Sequence, residues 1–225
     1  MGIFRGPNIV RDGLILNLDA ASLRSYSGSG TDFYDLSGNG NHGVLDGATY
    51  SSDNLGIISL DGTNDRISIT DSNNDFDLGT GDFTINCWIN PSYDSTYPHL
   101  FTLNDQSNFT LKGIRFDNSD GGKLYVYQGY SVMFNNSYLT TDEWQMITLT
   151  RDGQIHKLYK NGVLSDTVTD SSGPKNISAT TAYIGWGWSS EYTPQKRGPV
   201  QVYNTLLSDE QVLQNYNAHK ERFGL

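Results

Sequence analysis

Cysteine is nearly missing from this 225-residue chain: Cys87 stands alone, so no internal disulfide can form. A single Cys among apolar strand residues reads as a small buried hydrophobe. A secreted protein would more often hold paired cysteines. Glutamate is almost as scarce and occurs only at Glu143, Glu191, Glu210 and Glu221. The formal net charge of -10 therefore comes mainly from aspartate, a residue of turns rather than helices. Lys and Arg number 15 against 25 Asp and Glu, a balance that repels nucleic acid and anionic membranes. No apolar run is long enough for a membrane-spanning helix. Residues 1–7 lack the apolar stretch of a Sec-type signal, and no Ser or Thr follows Gly2 at the sixth position. Neither export by that route nor myristoylation is expected.

Recognisable chemistry is also sparse. There is no G-x-S-x-G elbow and no phosphate-binding loop. The four histidines, His42, His99, His156 and His219, make no H-x-x-x-H pair, and one Cys rules out a cysteine-rich zinc site. His42 sits in a Gly-Asn loop as a turn or packing residue, and His99 follows Pro98 at a strand start. His156 alternates with Ile155, so one of that pair must face water.

What the chain does have is aromatic residues, 12 % of the total, and 24 glycines. Aromatic and β-branched residues favour strands and Gly favours the turns between them. Residues 13–19 alternate Leu14, Leu16 and Leu18 on one face, and residues 83–89 alternate Phe83, Ile85, Cys87 and Ile89. Residues 25–56 read mostly as loop. Strands at 57–60 and 66–70 are separated by a turn over 61–65. Asp152-Gly153 and Asn161-Gly162 suit two successive two-residue hairpin turns, because Gly and Asn tolerate positive φ. One helix is credible. Ser208 can act as N-cap with Gln211 completing a capping box, Val212, Leu213 and Tyr216 recur at helical spacing, and Gly224 suits the stop. These patterns predict an arm over 1–12, one β-sandwich over 13–206, and a helix over 207–225 packing on the sandwich.

Several segments resemble the laminin G-like branch of the concanavalin A-like superfamily, in the order that branch uses. They are Asp35-Leu36-Ser37-Gly38-Asn39-Gly40-Asn41-His42-Gly43, Leu60-Asp61-Gly62-Thr63-Asn64-Asp65, and Gly81-Asp82-Phe83-Thr84 leading to Trp88-Ile89. After these come Arg151-Asp152-Gly153, Leu158-Tyr159-Lys160-Asn161-Gly162, Tyr183-Ile184-Gly185, and a closing strand and helix over 200–210. The resemblance implies an all-β, two-sheet antiparallel jelly-roll sandwich with one short C-terminal helix. Because these are turn and strand residues, they specify a fold and not a ligand.

A narrower resemblance joins Gly6-Pro7-Asn8-Ile9-Val10, Leu18-Asp19-Ala20-Ala21, Asn215-Tyr216-Asn217, Lys220 and Arg222-Phe223-Gly224 to laminin G-like proteins of tailed-phage virions. It implies a non-enzymatic virion component, either capsid decoration or part of a tail or fibre. Its partners would be other virion proteins in an oligomeric assembly, with host-surface carbohydrate as a ligand. The arm would then order against a neighbouring subunit. A glycan-binding or adhesion module outside a virion is the alternative. A glycoside hydrolase comes third, because the E-x-D-x-E strand of the superfamily's glucanases, with two carboxylates on one face, is missing. One departure from the phage pattern is Lys196-Arg197-Gly198-Pro199 before the final strand. Pro199 lacks an amide donor, so a strand beginning at a sheet edge or interface is expected.

Two sets of residues are candidates for binding. Calcium requires six to eight oxygen ligands, and Asn104, Asp105 and Gln106, or Asp61 with Asp65, could supply some. Capping of their own turns competes with that role. Trp186 and Trp188, alternating with Gly185 and Gly187, would place two indoles on one face of an extended segment, with Tyr192 nearby. A polar loop over 189–197 would bring Arg197 beside them. Aromatic platforms stack on sugars and anchor protein interfaces, but rings in such a strand also pack in cores, and the sequence leaves the three roles open.

Overall fold

The computed structural model describes residues 7–71, 73–92, 99–104, 111–117, 123–128, 131–137, 139–174, 176–187 and 191–225. Strands run along the chain as β1 (Leu14–Leu18), β2 (Asp32–Phe33), β3 (Gly43–Asp46), β4 (Thr49–Ser51), β5 (Ile57–Asp61), β6 (Arg66–Thr70), β7 (Phe83–Pro91) and β8 (His99–Asn104). They continue as β9 (Leu111–Asp117), β10 (Lys123–Gln128), β11 (Ser131–Ser137), β12 (Gln145–Asp152), β13 (Ile155–Lys160), β14 (Val163–Thr169), β15 (Thr181–Ile184) and β16 (Pro194–Tyr203). The helix α1 (Asp209–His219) follows.

The first sheet runs β14-β13-β12-β7-β16-β5-β4, with β1 also paired to β16. The second runs β11-β10-β9-β8-β15-β6-β3-β2. All these pairings are antiparallel, and the two sheets form the jelly-roll sandwich. Residues 25–56, expected as mostly loop, contain the three short strands β2, β3 and β4. Such brief strands lie below the length at which alternation becomes legible.

Alternation sets which residues meet between the sheets. Ile85, Cys87, Ile89, Ile147, Leu149 and Val202 of the first sheet share one core with Leu45, Ile67, Ile69, Phe101, Ala182 and Ile184 of the second. The first sheet is buried on its other face too. There Trp88, Met146, Tyr159 and Tyr203 pack with Val10, Leu207, Val212 and Phe223. The Trp88 and Phe223 rings are stacked at 4.4 Å. A strand buried on both faces reads as nearly unbroken burial, as β7 and β12 do.

The capping box forms as read from the sequence. Ser208 Oγ accepts from the Gln211 amide at 3.3 Å, and Gln211 Oε1 accepts from the Ser208 amide at 2.9 Å. A short 3₁₀ turn then ends at Gly224, whose φ is 76°. Leu213, read as part of the apolar face, is exposed, while Val212 and Asn215 are buried. Asn215 holds the start of the chain: its Oδ1 accepts from the Val10 amide at 2.8 Å, and its Nδ2 donates to the Tyr203 hydroxyl at 3.0 Å. Residues 8 and 10 of the expected arm are therefore bound to this chain's own helix, Asn8 through Gln214.

Two turn assignments need adjustment. Asn161 (φ 52°) and Gly162 (φ 80°) form the two-residue hairpin loop as expected. At the other hairpin Asp152 pairs with Ile155, so the loop is Gly153-Gln154, shifted by one residue. Gly153 takes the first loop position at φ 54°, where its lack of a side chain matters. Pro199 does not start an edge strand. β16 lies in mid-sheet, paired with β7 on one side and with β5 and then β1 on the other. The ladder shifts register between Arg197 and Val200, and such a bulge is where a central strand accepts a residue without an amide donor.

Candidate functional site

Because α1 and the residues after it cover the outer face of the first sheet, the second sheet supplies the sandwich's accessible sheet face. On β3 and β6, Val44 is 43 % exposed, and the side chains of Arg66 and Asp46 are 33 % and 39 % exposed. Neighbouring strands set which side chains gather here. Asp46 pairs with Arg66 across β3 and β6, Val44 with Ser68, and Ser68 with Tyr183 of β15. Cross-strand partners point to the same face, so the five strand positions become one patch.

Trp186 joins that patch through a kink. In an unbroken strand it would share a face with Ile184, which is fully buried. Gly185 lies at φ 80°, and a Cβ there would come within 2.3 Å of Leu60 Cδ1. Its left-handed backbone changes the phase of the strand, and the Trp186 ring meets Tyr183 edge-on at 4.6 Å. The chain then turns back. Trp186 bridges to Tyr192, the Gly187 amide donates to the Glu191 carbonyl, and the Thr193 amide donates to the Gly185 carbonyl.

Arg66 ties the patch together. Its guanidinium carbon lies 5.4 Å from the Trp186 ring centre and 5.7 Å from that of Tyr183. Its Nε donates to Asp46 Oδ2 at 2.9 Å, and the Ser68 hydroxyl donates to the same oxygen at 2.6 Å. Burial pushes the Asp46 carboxyl up, but the bonds from Ser68 and Arg66 and the Arg66 charge outweigh it and hold it below its ordinary value. The bond to Asp46 in turn raises Arg66. The result is a shallow surface of the half-buried Trp186, a hydroxyl and a charge-balanced ion pair, with Tyr183, only 9 % exposed, packed against the indole and Tyr192 beside it.

The hairpin after β15 is anchored from below by a histidine whose role the sequence did not show. His99 is 2 % exposed; its Nε2 lies 3.0 Å from Glu191 Oε2, and its amide donates to Thr193 Oγ1 at 2.7 Å. Gly187 makes room for the imidazole, since a Cβ there would come within 1.9 Å of His99 Cε1. Deeper still, Gln195 Nε2 donates to the His99 carbonyl at 3.1 Å. Arg197 donates to Gln195 Oε1 at 2.9 Å and to the Leu100 carbonyl at 2.6 Å. These carbonyls belong to an irregular stretch of β8, where the pairing with β9 shifts between His99 and Phe101.

Of the four residues singled out from sequence, Trp186 and Tyr192 are brought together on the patch, and Trp188 lies outside the described residues. Arg197 is a correction. It is 1 % exposed, lowered by burial, and directed between the sheets rather than at a ligand. The last four residues of the loop invoked to present it, Pro194 to Arg197, are strand, because β16 begins at Pro194. The residues missed were Asp46, Arg66, Ser68 and Tyr183. Arg66 and Ser68 alternate along a strand and so share a face, but their approach to Tyr183 depends on strand pairing.

Asp105 and Gln106 of the calcium candidates lie outside the described residues. Asp61 and Asp65 serve their own turn: Asp65 Oδ2 accepts from the Asp61 amide at 3.0 Å and Asp61 Oδ1 from the Thr63 amide at 2.7 Å. Among the described residues no three His, Cys, Asp or Glu gather to hold a metal. A cleft of about 1010 Å³ lies between residues 52–55 and the C-terminal segment. Among the described residues no Trp, Tyr or Phe lines it, and its Arg222 is committed to Asp19 at 2.7 Å and to the backbone carbonyls of Asn54 and Gly56.

A laminin G family model, described as the Concanavalin A-like lectin/glucanases superfamily, matches residues 61–213, more than half of the chain. No curated protein matches the chain. Among solved structures, the receptor binding domain of botulinum neurotoxin C/D mosaic serotype is similar, with a TM-score of 0.70 at 18 % identity over 92 % of this chain and 51 % of that one. The binding domain of botulinum neurotoxin DC in complex with rat synaptotagmin II gives 0.73 at 16 % identity over 92 % and 52 %. A botulinum neurotoxin type C structure, described by its dependence on two ganglioside molecules for cell entry, gives 0.72 at 16 % identity over 92 % and 51 %. The chain spans about half the length of these structures, and at such identities the likeness is one of fold.

Proposed function

This chain belongs to the concanavalin A-like lectin/glucanases superfamily, and from that premise we propose that it is a non-enzymatic protein that binds carbohydrate on the accessible face of its second sheet. One observation carries the reading: Trp186, Tyr183, Arg66, Asp46 and Ser68 converge on a sheet face that no described helix covers. The apolar face of a pyranose stacks on indole, and its hydroxyls match an Asp–Arg pair that both accepts and donates. The ganglioside link of the similar neurotoxin structure supports carbohydrate in general as the ligand, and says nothing of the charge of the sugar bound here.

The finer reading places this activity on a tailed-phage virion, with other virion proteins as partners in an oligomeric assembly. Its support is the resemblance of the terminal segments to phage virion proteins. A glycan array tests the binding: retention of at least one oligosaccharide class supports it, and no retained glycan overturns it. Imaging of labelled protein in intact particles tests the location, and particles without it overturn the virion role.

A further inference from the structure

Resting on the carbohydrate-binding reading of this face, we infer that the Asp46–Arg66 pair makes the site selective for uncharged sugars and that Asp46 is the residue that excludes acidic ones. The patch carries one acid and one base, and they are bound to each other at 2.9 Å. Tyr183, Trp186, Tyr192 and Ser68 add no charge, so among the described residues of the patch the charges balance. Around it the chain carries a net charge of -10, a field that disfavours anions.

The open hydrogen-bonding positions point the same way. Asp46 Oδ2 is occupied by Arg66 and Ser68, while Oδ1 makes no hydrogen bond among the described residues. On a side chain that is 39 % exposed, that oxygen is free to accept from a ligand donor. A sugar hydroxyl is one; a sugar carboxylate offers only acceptors and would face Asp46 as a like charge. Arg66 binds Asp46 through Nε alone, which leaves its two Nη atoms to donate to ring or hydroxyl oxygens. An arginine meant for a carboxylate would present a fork free of a competing acid. Discrimination of this kind comes from a built-in repulsive group beside the attractive ones.

Isothermal titration with matched pairs of oligosaccharides, one neutral and one capped with a sialic or uronic acid, tests the inference at 50 and 300 mM salt. The neutral member is expected to bind at least about 10-fold more tightly, with affinity changing less than about 2-fold between the two salt concentrations. Asp46→Asn leaves Arg66 unneutralised and is expected to improve binding of the acidic member about 10-fold and to make it salt-sensitive. Arg66→Gln, with Asp46 unpaired, is expected to exclude the acidic member further. Equal or tighter binding of the acidic member by the wild-type protein overturns this inference alone, provided that binding is lost in Trp186→Ala. The same holds if Asp46→Asn leaves the preference unchanged while melting as the wild type does. Failure of every oligosaccharide to bind overturns the carbohydrate reading, and this inference with it.

Discussion

Replacing Gly187 by Ala should destabilise the protein by a predictable amount through one buried ring. The new methyl would start 1.9 Å from His99 Cε1, 2.2 Å from Nε2 and 2.3 Å from Nδ1, well inside any ordinary contact. The imidazole must move, yet at 2 % exposure it has no free space to enter. Moving it breaks the 3.0 Å contact with Glu191. Overpacking of a core costs about 1–3 kcal/mol, and loss of a part-buried hydrogen bond adds about 1 kcal/mol. The sum is about 2–4 kcal/mol, which lowers Tm by roughly 5–15 °C in a chain of this size. Thermal unfolding followed by circular dichroism measures it. His99→Ala is the control: in that background the methyl enters space the ring has vacated, so Gly187→Ala should then cost less than about 1 kcal/mol. A Tm drop under 2 °C, or an equal drop in both backgrounds, would refute the packing argument.

At the second hairpin, Asn161→Val should cost about 1–3 kcal/mol, because a β-branched residue resists φ near 52°. The change also removes the 2.9 Å acceptor of the Met146 amide, and an unchanged Tm would contradict the assignment. Stability should fall as pH drops. Burial pushes His219 down to about 4, with Arg222 adding to the shift and Asp19 opposing it, and burial also lowers the fully buried His156. Both histidines bind protons more readily unfolded, so the stability they permit is complete above about pH 6.5 and is lost as pH falls from there towards 4. His219→Gln should remove about 1–2 kcal/mol of that loss after discounting for solvent screening. Denaturant titrations at pH 7 and 4.5 measure it, and parallel curves for wild type and variant would contradict the burial argument.

Most of the fold was legible because its signals are local. A capping box, an Asn-Gly pair and alternating apolar residues act within a few positions of one another, and each formed close to where it was read. The motif residues do structural work that also explains their spacing. The Asp35 carboxylate accepts from the Asn17, Ser37 and Asn41 amides, and Arg151 donates to the carbonyls of Gly79 and Gly81. The site was legible only in part. Trp186 and Tyr192 were found because a Gly-Trp alternation stands out in one stretch of chain. Arg66 and Tyr183 are more than a hundred positions apart and meet only because β6 pairs with β15. Arg197 misled because charge is usually a mark of the surface. Here a bulge in β8 leaves carbonyls that a guanidinium can satisfy from within.

If the aromatic face around Trp186 serves a ligand and not the sandwich alone, binding and stability must respond differently to loss of the indole. The most direct test measures oligosaccharide binding and thermal unfolding together on Trp186→Ala. The ring is half-buried and meets Tyr183 edge-on, so its loss should cost about 1–1.5 kcal/mol and lower Tm by no more than about 5 °C. Binding should weaken at least about 5-fold, stacking on one indole being worth about 1 kcal/mol or more once the area it buries is included. Unchanged binding with a large loss of stability would contradict the account and return Trp186 to the core.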